Sequence, residues 1–282
     1  MRERNFSLNR YWERLAESGP PSMSFDALCG HGGMGWGEWR GKAIPKLREV
    51  LGEMPDPVAL NPETVYSVAD GDLIRERVVI DSEEFMSVPC QVLRPAGMKP
   101  DGANAAILCC HGHGLGKDLV AGMPSTPDHA QRIKNLNYDY GLQMAKAGFL
   151  TVMPDLRGFG ERKDHDPVPM QRDPCNVHYI KGAAMGRYPM ALNIWDMMRV
   201  IDYMQSRPEV DPERIGMMGL SYGGTMTAYV SALDGRVKAA DISGYVTPFA
   251  KTSIRDGNFC GMQTVPMLNR HFDAHDVAGL IA

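Results

Sequence analysis

Nowhere in the 282-residue chain do eighteen apolar residues follow one another, and the charged start Met1-Arg-Glu-Arg-Asn-Phe leads into no apolar segment of a secretory type. No membrane partner is therefore expected, and the reading is of a cytoplasmic protein. Charge of one sign is also missing: 30 Lys and Arg against 34 Asp and Glu leave a net charge of −4, with neither a basic field for nucleic acid nor an acidic tail. The six cysteines, at 29, 90, 109, 110, 175 and 260, form no CxxC and no regular spacing, which fits reduced thiols rather than a disulfide framework. Internal repeats and low-complexity tracts are absent too. What remains is a chain 44% hydrophobic, enough for one large core and roughly one to two domains. A neutral or modestly charged small molecule is the expected partner. Twenty methionines are many, but a thioether fills core gaps, and no metal role is read into them.

Residues 1–70 read as a helical and irregular lead-in. Leu8–Glu17 has helical spacing, and Trp39–Gly52 repeats apolar residues at Ile44, Leu47, Val50 and Leu51. Between them, Gly30-His-Gly-Gly-Met-Gly-Trp-Gly37 has the glycines of a dinucleotide fingerprint but no strand leading in and no helix pattern directly after. The proline-rich stretch 54–62 reads as a linker. From residue 71 onward the pattern is that of a second domain, running to 282. Leu73–Asp81 and Met86–Arg94 alternate as an antiparallel pair, and Ala105–Cys110 and Phe149–Pro154 are short apolar runs of strands buried on both faces. Tyr138–Ala147 and Asn193–Ser206 have helical periods, and Val237–Tyr245 is a further strand. Strands alternating with helices predict an α/β fold, a mostly parallel sheet with helices on both faces.

The segment Gly219-Leu-Ser-Tyr-Gly-Gly224 carries the strongest chemical signal. It follows the strand-like Arg214–Met218 and opens the helix-like Thr225–Leu233, so Ser221 occupies a strand-to-helix turn. A serine held there at a strained backbone angle leaves no room for side chains at positions 219 and 223, and both are glycine. Acyl transfer by serine also needs donors for the oxyanion. One is the backbone N–H of Tyr222; the second is expected in His111-Gly-His-Gly114, after the strand Ala105–Cys110, with the N–H of His113 as the choice. The imidazoles of His111 and His113 read as turn and supporting hydrogen-bond groups. A metal-binding His-x-His would need an aspartate two residues after His113 and a histidine next to it, where Leu115 and Gly116 stand, so no metal is predicted. In Met153-Pro-Asp-Leu-Arg-Gly-Phe-Gly-Glu-Arg162, Asp155 and Arg157 are read as pairing within the turn.

With HGHG at 111–114, PDLRGFG at 154–160 and GLSYGG at 219–224 in this order, the chain resembles the α/β-hydrolase superfamily over roughly residues 70–282. More narrowly it resembles the dienelactone hydrolase and acetyl xylan esterase-like branch, which borders prolyl-oligopeptidase catalytic domains. The resemblance implies a serine esterase acting on a small-molecule ester through an acyl-serine intermediate, without a cofactor. It also implies an acid after the seventh strand of the family and a histidine after the eighth. By that comparison Val237–Tyr245 is the sixth strand and Asp276–Ala282 the approach to the next, so the chain is expected to be truncated, to contain neither the catalytic acid nor the histidine, to hydrolyse esters weakly and to expose an apolar sheet edge. His271 and His275, one helical turn apart, read as a solvated face. Two alternatives stay open: a peptidase of prolyl-oligopeptidase type, and a non-catalytic binding protein of hydrolase shape. Tyr179, Arg187 and Tyr188, before the Asn193 helix, mark the region expected to set specificity.

Overall fold

The computed structural model describes residues 4–165 and 169–281. It divides into two compact units whose limits differ from a cut at residue 70: one comprises residues 54–174 and 192–245, the other residues 1–53, 175–191 and 246–282.

The first unit is built on a seven-stranded sheet, β1 Glu63–Asp70, β2 Leu73–Glu83, β3 Met86–Pro95, β4 Asn104–Cys110, β5 Leu150–Pro154, β6 Val210–Leu220 and β7 Val237–Ser243. The order across the sheet is β1-β2-β3-β5-β4-β6-β7. The first three strands meet their neighbours antiparallel, and β5, β4, β6 and β7 run parallel. The strands expected from the apolar runs are all present. β1 is an addition: its sequence ETVYSVAD is exposed almost throughout, so it lacks the one-sided apolar alternation that marks a half-buried strand. Its place at the edge of the sheet explains this, because backbone pairing with β2 holds it, helped by polar side-chain bonds from Arg75 to Asp70 at 2.7 Å and from Tyr66 to Gln91 at 3.1 Å.

The central strands are buried as their composition requires: all five residues of β5 are inaccessible, as are Leu108, Cys109 and Cys110 at the end of β4. Tyr138, Leu93, Cys109, Ala145 and Met153 pack in one apolar cluster with Leu119 and Val120. The α-helices of this unit, among the described residues, are α4 Lys117–Val120, α5 Pro127–Leu136, α6 Tyr140–Lys146, most of α8 Pro189–Ser206, and α9 Tyr222–Leu233. Ile194, Met197, Ile201 and Met204 form the buried stripe of α8 that the 3.6 period predicts. All twelve residues of α9 are buried, which its polar content (three threonines and serines among them) does not announce.

In the second unit, α1 Leu8–Ala16 is capped by Ser7, α2 is Phe25–Cys29, α3 is Trp36–Leu51, α7 is Pro174–Ala184, α10 is Leu268–His271 and α11 is Ala274–Gly279. α3 begins inside the glycine-rich run 30–37, not after it. Trp39 is its fully buried anchor, with Phe25 edge-on at 5.0 Å and its Nε1–H donated to the Met23 carbonyl at 2.9 Å. The segment from Asp276, expected to be the approach to a further strand, is helical as far as Gly279 in α11, with Ala282 outside the described residues. The reason is a reciprocal cap: the Asp273 side chain accepts from the first turn while Asp276 accepts the Asp273 N–H at 2.7 Å. His271 and His275 thus lie on two different helices separated by Phe272 and Asp273, not one turn apart on a single helix.

Candidate active site

β6 ends at Leu220 and α9 starts at Tyr222, so Ser221 is the whole of the turn between them. Its backbone sits at φ 58°, ψ −113°, a conformation that costs an L-residue of order 1–3 kcal/mol and persists only where the surroundings over-determine it. Those surroundings are visible. The Ser221 N–H donates to the Ser243 carbonyl at the end of β7 (2.8 Å), and its own carbonyl accepts from the Thr225 N–H (3.0 Å). A β-carbon on Gly219 would lie 2.4 Å from the Gly223 carbonyl, and one on Gly223 would lie 2.0 Å from the Cys110 carbonyl oxygen. A β-carbon on Gly224 would lie 2.5 Å from the Ser243 oxygen. Helix, elbow and the ends of β4 and β7 therefore meet, at their closest points, through backbone atoms.

The His111–Gly114 segment leaves β4 beside this elbow. A β-carbon at Gly112 would stand 3.4 Å from the Ser221 Cβ and 2.8 Å from the Leu220 carbonyl oxygen, so only glycine fits against the serine. His111 is fully buried. Its Nε2 accepts the Leu156 N–H at 3.0 Å, which leaves Nδ1 as the protonated nitrogen, donating to the Gly112 carbonyl at 2.7 Å. Burial holds this imidazole below its ordinary pKa against the pull of Asp155, so it is a neutral ring with both nitrogens committed. That matches a supporting role. His113 is exposed and packs edge-on against Phe159, whose ring also meets those of His111 and Tyr222.

Tyr222 contributes only its backbone at the elbow, because its fully buried phenol accepts from Asn193 Nδ2 at 2.9 Å. Asn193 in turn accepts the Arg157 N–H at 2.7 Å. The pairing of Asp155 with Arg157 expected from their spacing does not form. Arg157 instead grips Asp196 of α8 through two bonds of 2.7 Å and reaches Glu83 at 2.6 Å. Burial alone would raise the Asp196 carboxyl, but Arg162 and Arg157 outweigh it and hold it below the usual range. Asp155 is buried and accepts from the Lys117 N–H (2.8 Å), Lys117 Nζ (3.0 Å) and the Glu161 N–H (2.9 Å). The Lys117 ammonium, 1% exposed, also bonds Glu161, and is pushed up to about 12 because these carboxylates overcome its burial. Tyr138, Asn193, Lys117 and Asp196 were invisible to motif reading, since each partner is 26 to 39 residues distant.

Of the residues expected to set specificity, Arg187 lies 3.6 Å from Glu53 and Tyr188 packs against Gly52, both within the second unit.

Residues 131–253 match the family model described as acetyl xylan esterase (AXE1). A Bacillus subtilis (strain 168) protein bearing the name "Putative hydrolase YtaP" is 29% identical over 253 residues, covering 86% of this chain and 77% of that one. Among solved structures, the "putative acetyl xylan esterase" of Bacteroides fragilis NCTC 9343 superposes with a TM-score of 0.82 at 18% identity, over 98% of this chain and 73% of that chain. A glucuronoyl esterase from Solibacter usitatus does so with a TM-score of 0.60 at 18% identity, over 94% and 77%. The chain has the α/β-hydrolase fold, and residues 131–253 resemble the acetyl xylan esterase family.

Proposed function

We propose that the chain is a carboxylic-ester hydrolase in which Ser221 is the nucleophile. Its Oγ attacks the ester carbonyl as its proton passes to water, the backbone N–H groups of Tyr222 and His113 receive the oxyanion, and collapse breaks the C–O bond so that the leaving oxygen takes a proton from water and departs as the alcohol; water then hydrolyses the acyl-serine to a carboxylic acid and free Ser221. The observation that carries this reading is the backbone of Ser221 at φ 58°, in a turn built from three glycines that admit no β-carbon. Strain maintained so closely at a single solvent-exposed serine is a mark of a nucleophile elbow. The names of the similar proteins, acetyl xylan and glucuronoyl esterases, support an ester as substrate.

In the proposed mechanism no histidine or carboxylate of this chain is assigned as base and acid. His111 has both nitrogens engaged and His129 is bonded to Ser125. Turnover without a base is expected to be weak, on the order of the 10³–10⁴-fold enhancement that an oxyanion hole and binding supply without a relay. The test is reaction with a fluorophosphonate, mapped by mass spectrometry, alongside hydrolysis of p-nitrophenyl acetate. A label on Ser221 that vanishes in Ser221→Ala supports the reading. Saturable ester binding with no label and no turnover would favour the non-catalytic alternative, and cleavage of aryl-amide peptides ahead of aryl acetates would favour the peptidase.

A further inference from the structure

We propose that Tyr138 is a positioning residue for ester cleavage, fixing the backbone that presents the His113 N–H to the oxyanion; the inference rests on the hydrolase reading of Ser221. Two consecutive peptide groups lead to that donor. The second, Gly112–His113, carries the donor N–H on one side and the Gly112 carbonyl on the other, and His111 holds that carbonyl at 2.7 Å. The first, His111–Gly112, carries the Gly112 N–H, and this is donated to the phenol oxygen of Tyr138 at 2.8 Å. Because a peptide group is planar, fixing one atom at each of the two groups sets the direction of the next N–H. Tyr138 comes from outside the loop it holds, two residues before the start of α6, and is 6% exposed within the apolar cluster of Leu93, Cys109 and Met153. A hydrogen bond anchored by a packed ring resists rotation in a way that water at the same position would not.

Gly112 shows how little freedom the arrangement has. The point where its β-carbon would sit is 3.0 Å from the Tyr138 oxygen and 3.4 Å from the Ser221 Cβ, so phenol, loop and nucleophile converge on one spot. Burial also keeps the phenol protonated throughout the neutral range, leaving its oxygen a constant acceptor.

The test is Tyr138→Phe, which removes the acceptor and keeps the ring. Loss of one oxyanion donor costs about 10²–10³ in rate, and a donor left in place but free to rotate is expected to cost about tenfold. The variant should lose about tenfold both in the fluorophosphonate labelling rate of Ser221 and in affinity for phenylboronic acid, whose serine adduct is tetrahedral, while KM for p-nitrophenyl acetate stays within about twofold. Tyr203→Phe serves as the stability control, since it deletes another buried phenol that accepts from Arg207 at 2.8 Å. Wild-type labelling and boronate affinity in Tyr138→Phe, or losses no greater than the thermal destabilisation shared with Tyr203→Phe, would overturn the inference. A wild-type chain with no label at Ser221 fails at the earlier step: it removes the hydrolase reading, and the positioning role with it.

Discussion

Placing a methyl group on Gly223 tests the elbow most directly. Its β-carbon would sit 2.0 Å from the Cys110 carbonyl oxygen, 2.7 Å from the Cys110 carbonyl carbon and 2.9 Å from the His111 oxygen. A carbon approaching a carbonyl oxygen normally stops at about 3.3 Å, so β4 and α9 must part by about 1.3 Å. All three obstructing atoms are backbone, and no side chain can swing away. Overpacking a core ordinarily costs 1–3 kcal/mol, and a clash with main chain on a wholly buried helix belongs at or above the top of that range, about 3 kcal/mol. For a chain of this size that lowers the thermal midpoint by roughly 6–12 °C. Gly216→Ala in β6, the strand that leads to the elbow, is the comparison: its β-carbon meets the Ala239 oxygen at an ordinary 3.5 Å, so the substitution is expected to be neutral or to gain up to about 1 kcal/mol from a stiffer unfolded chain. Urea titrations of the two variants, with fluorophosphonate labelling at each stage, give both numbers. If Gly223→Ala unfolded within 0.5 kcal/mol of wild type and labelled normally, the steric account of the elbow would be refuted.

Lys117→Met should cost about 3–5 kcal/mol, because it leaves Asp155 charged and buried without its partner, and adding Asp155→Asn should restore part of the loss; thermal melts of the single and double variants check the coupling. Glu161 is held down to about 2, first by its bond to Arg77 and then, against burial, by Lys117. A depressed carboxyl contributes stability that is present above its ordinary 4.5 and lost as pH falls toward about 2, so Glu161→Gln should flatten the pH dependence in that window; parallel urea midpoints for wild type and variant would contradict it. His111, also depressed, works in the same direction from a higher start: stability falls as pH drops below its unfolded value of about 6.5, because the unfolded ring takes up a proton that the folded ring refuses. Long-range nitrogen NMR at pH 7 should show a neutral ring protonated on Nδ1, and a charged imidazolium signal there would contradict the hydrogen-bond assignment.

What the sequence disclosed was whatever depends on neighbours in the chain. The elbow could be read because its constraint falls on residues two positions either side of Ser221, and the HGHG turn because it follows directly on an apolar strand. β4 and β5 announced themselves by the short apolar runs of strands buried on both faces, and β2 and β3 by their alternation. β1 did not, since a strand at the sheet's edge is selected by hydrogen bonding and carries no apolar face. The reading of Asp276–Ala282 as the approach to a strand did not allow for the cap that joins Asp273 to Asp276 and starts α11 there. Asp155 and Arg157 looked like partners because they are two residues apart. Each found a better one across the fold, Lys117 at 38 residues' distance and Asp196 at 39, in places where the low dielectric makes geometry decide.

The contacts among Gly112, Gly219, Gly223 and Gly224 also bear on how this protein can be surveyed by mutation. Alanine scanning treats alanine as a deletion, the residue that subtracts a side chain and leaves the backbone to speak. At these four positions alanine is an insertion, and the scan reverses its meaning: a severe phenotype would report added volume, while the atoms that matter, carbonyls of Cys110, Leu220 and Ser243, carry no side chain to remove. Those groups are common to every residue type, so substitution at Cys110, Leu220 or Ser243 leaves them in place. A residue-by-residue map of importance would therefore leave these partners unmarked, and chemical replacement of the backbone amide by an ester at single positions is the probe suited to what holds this site.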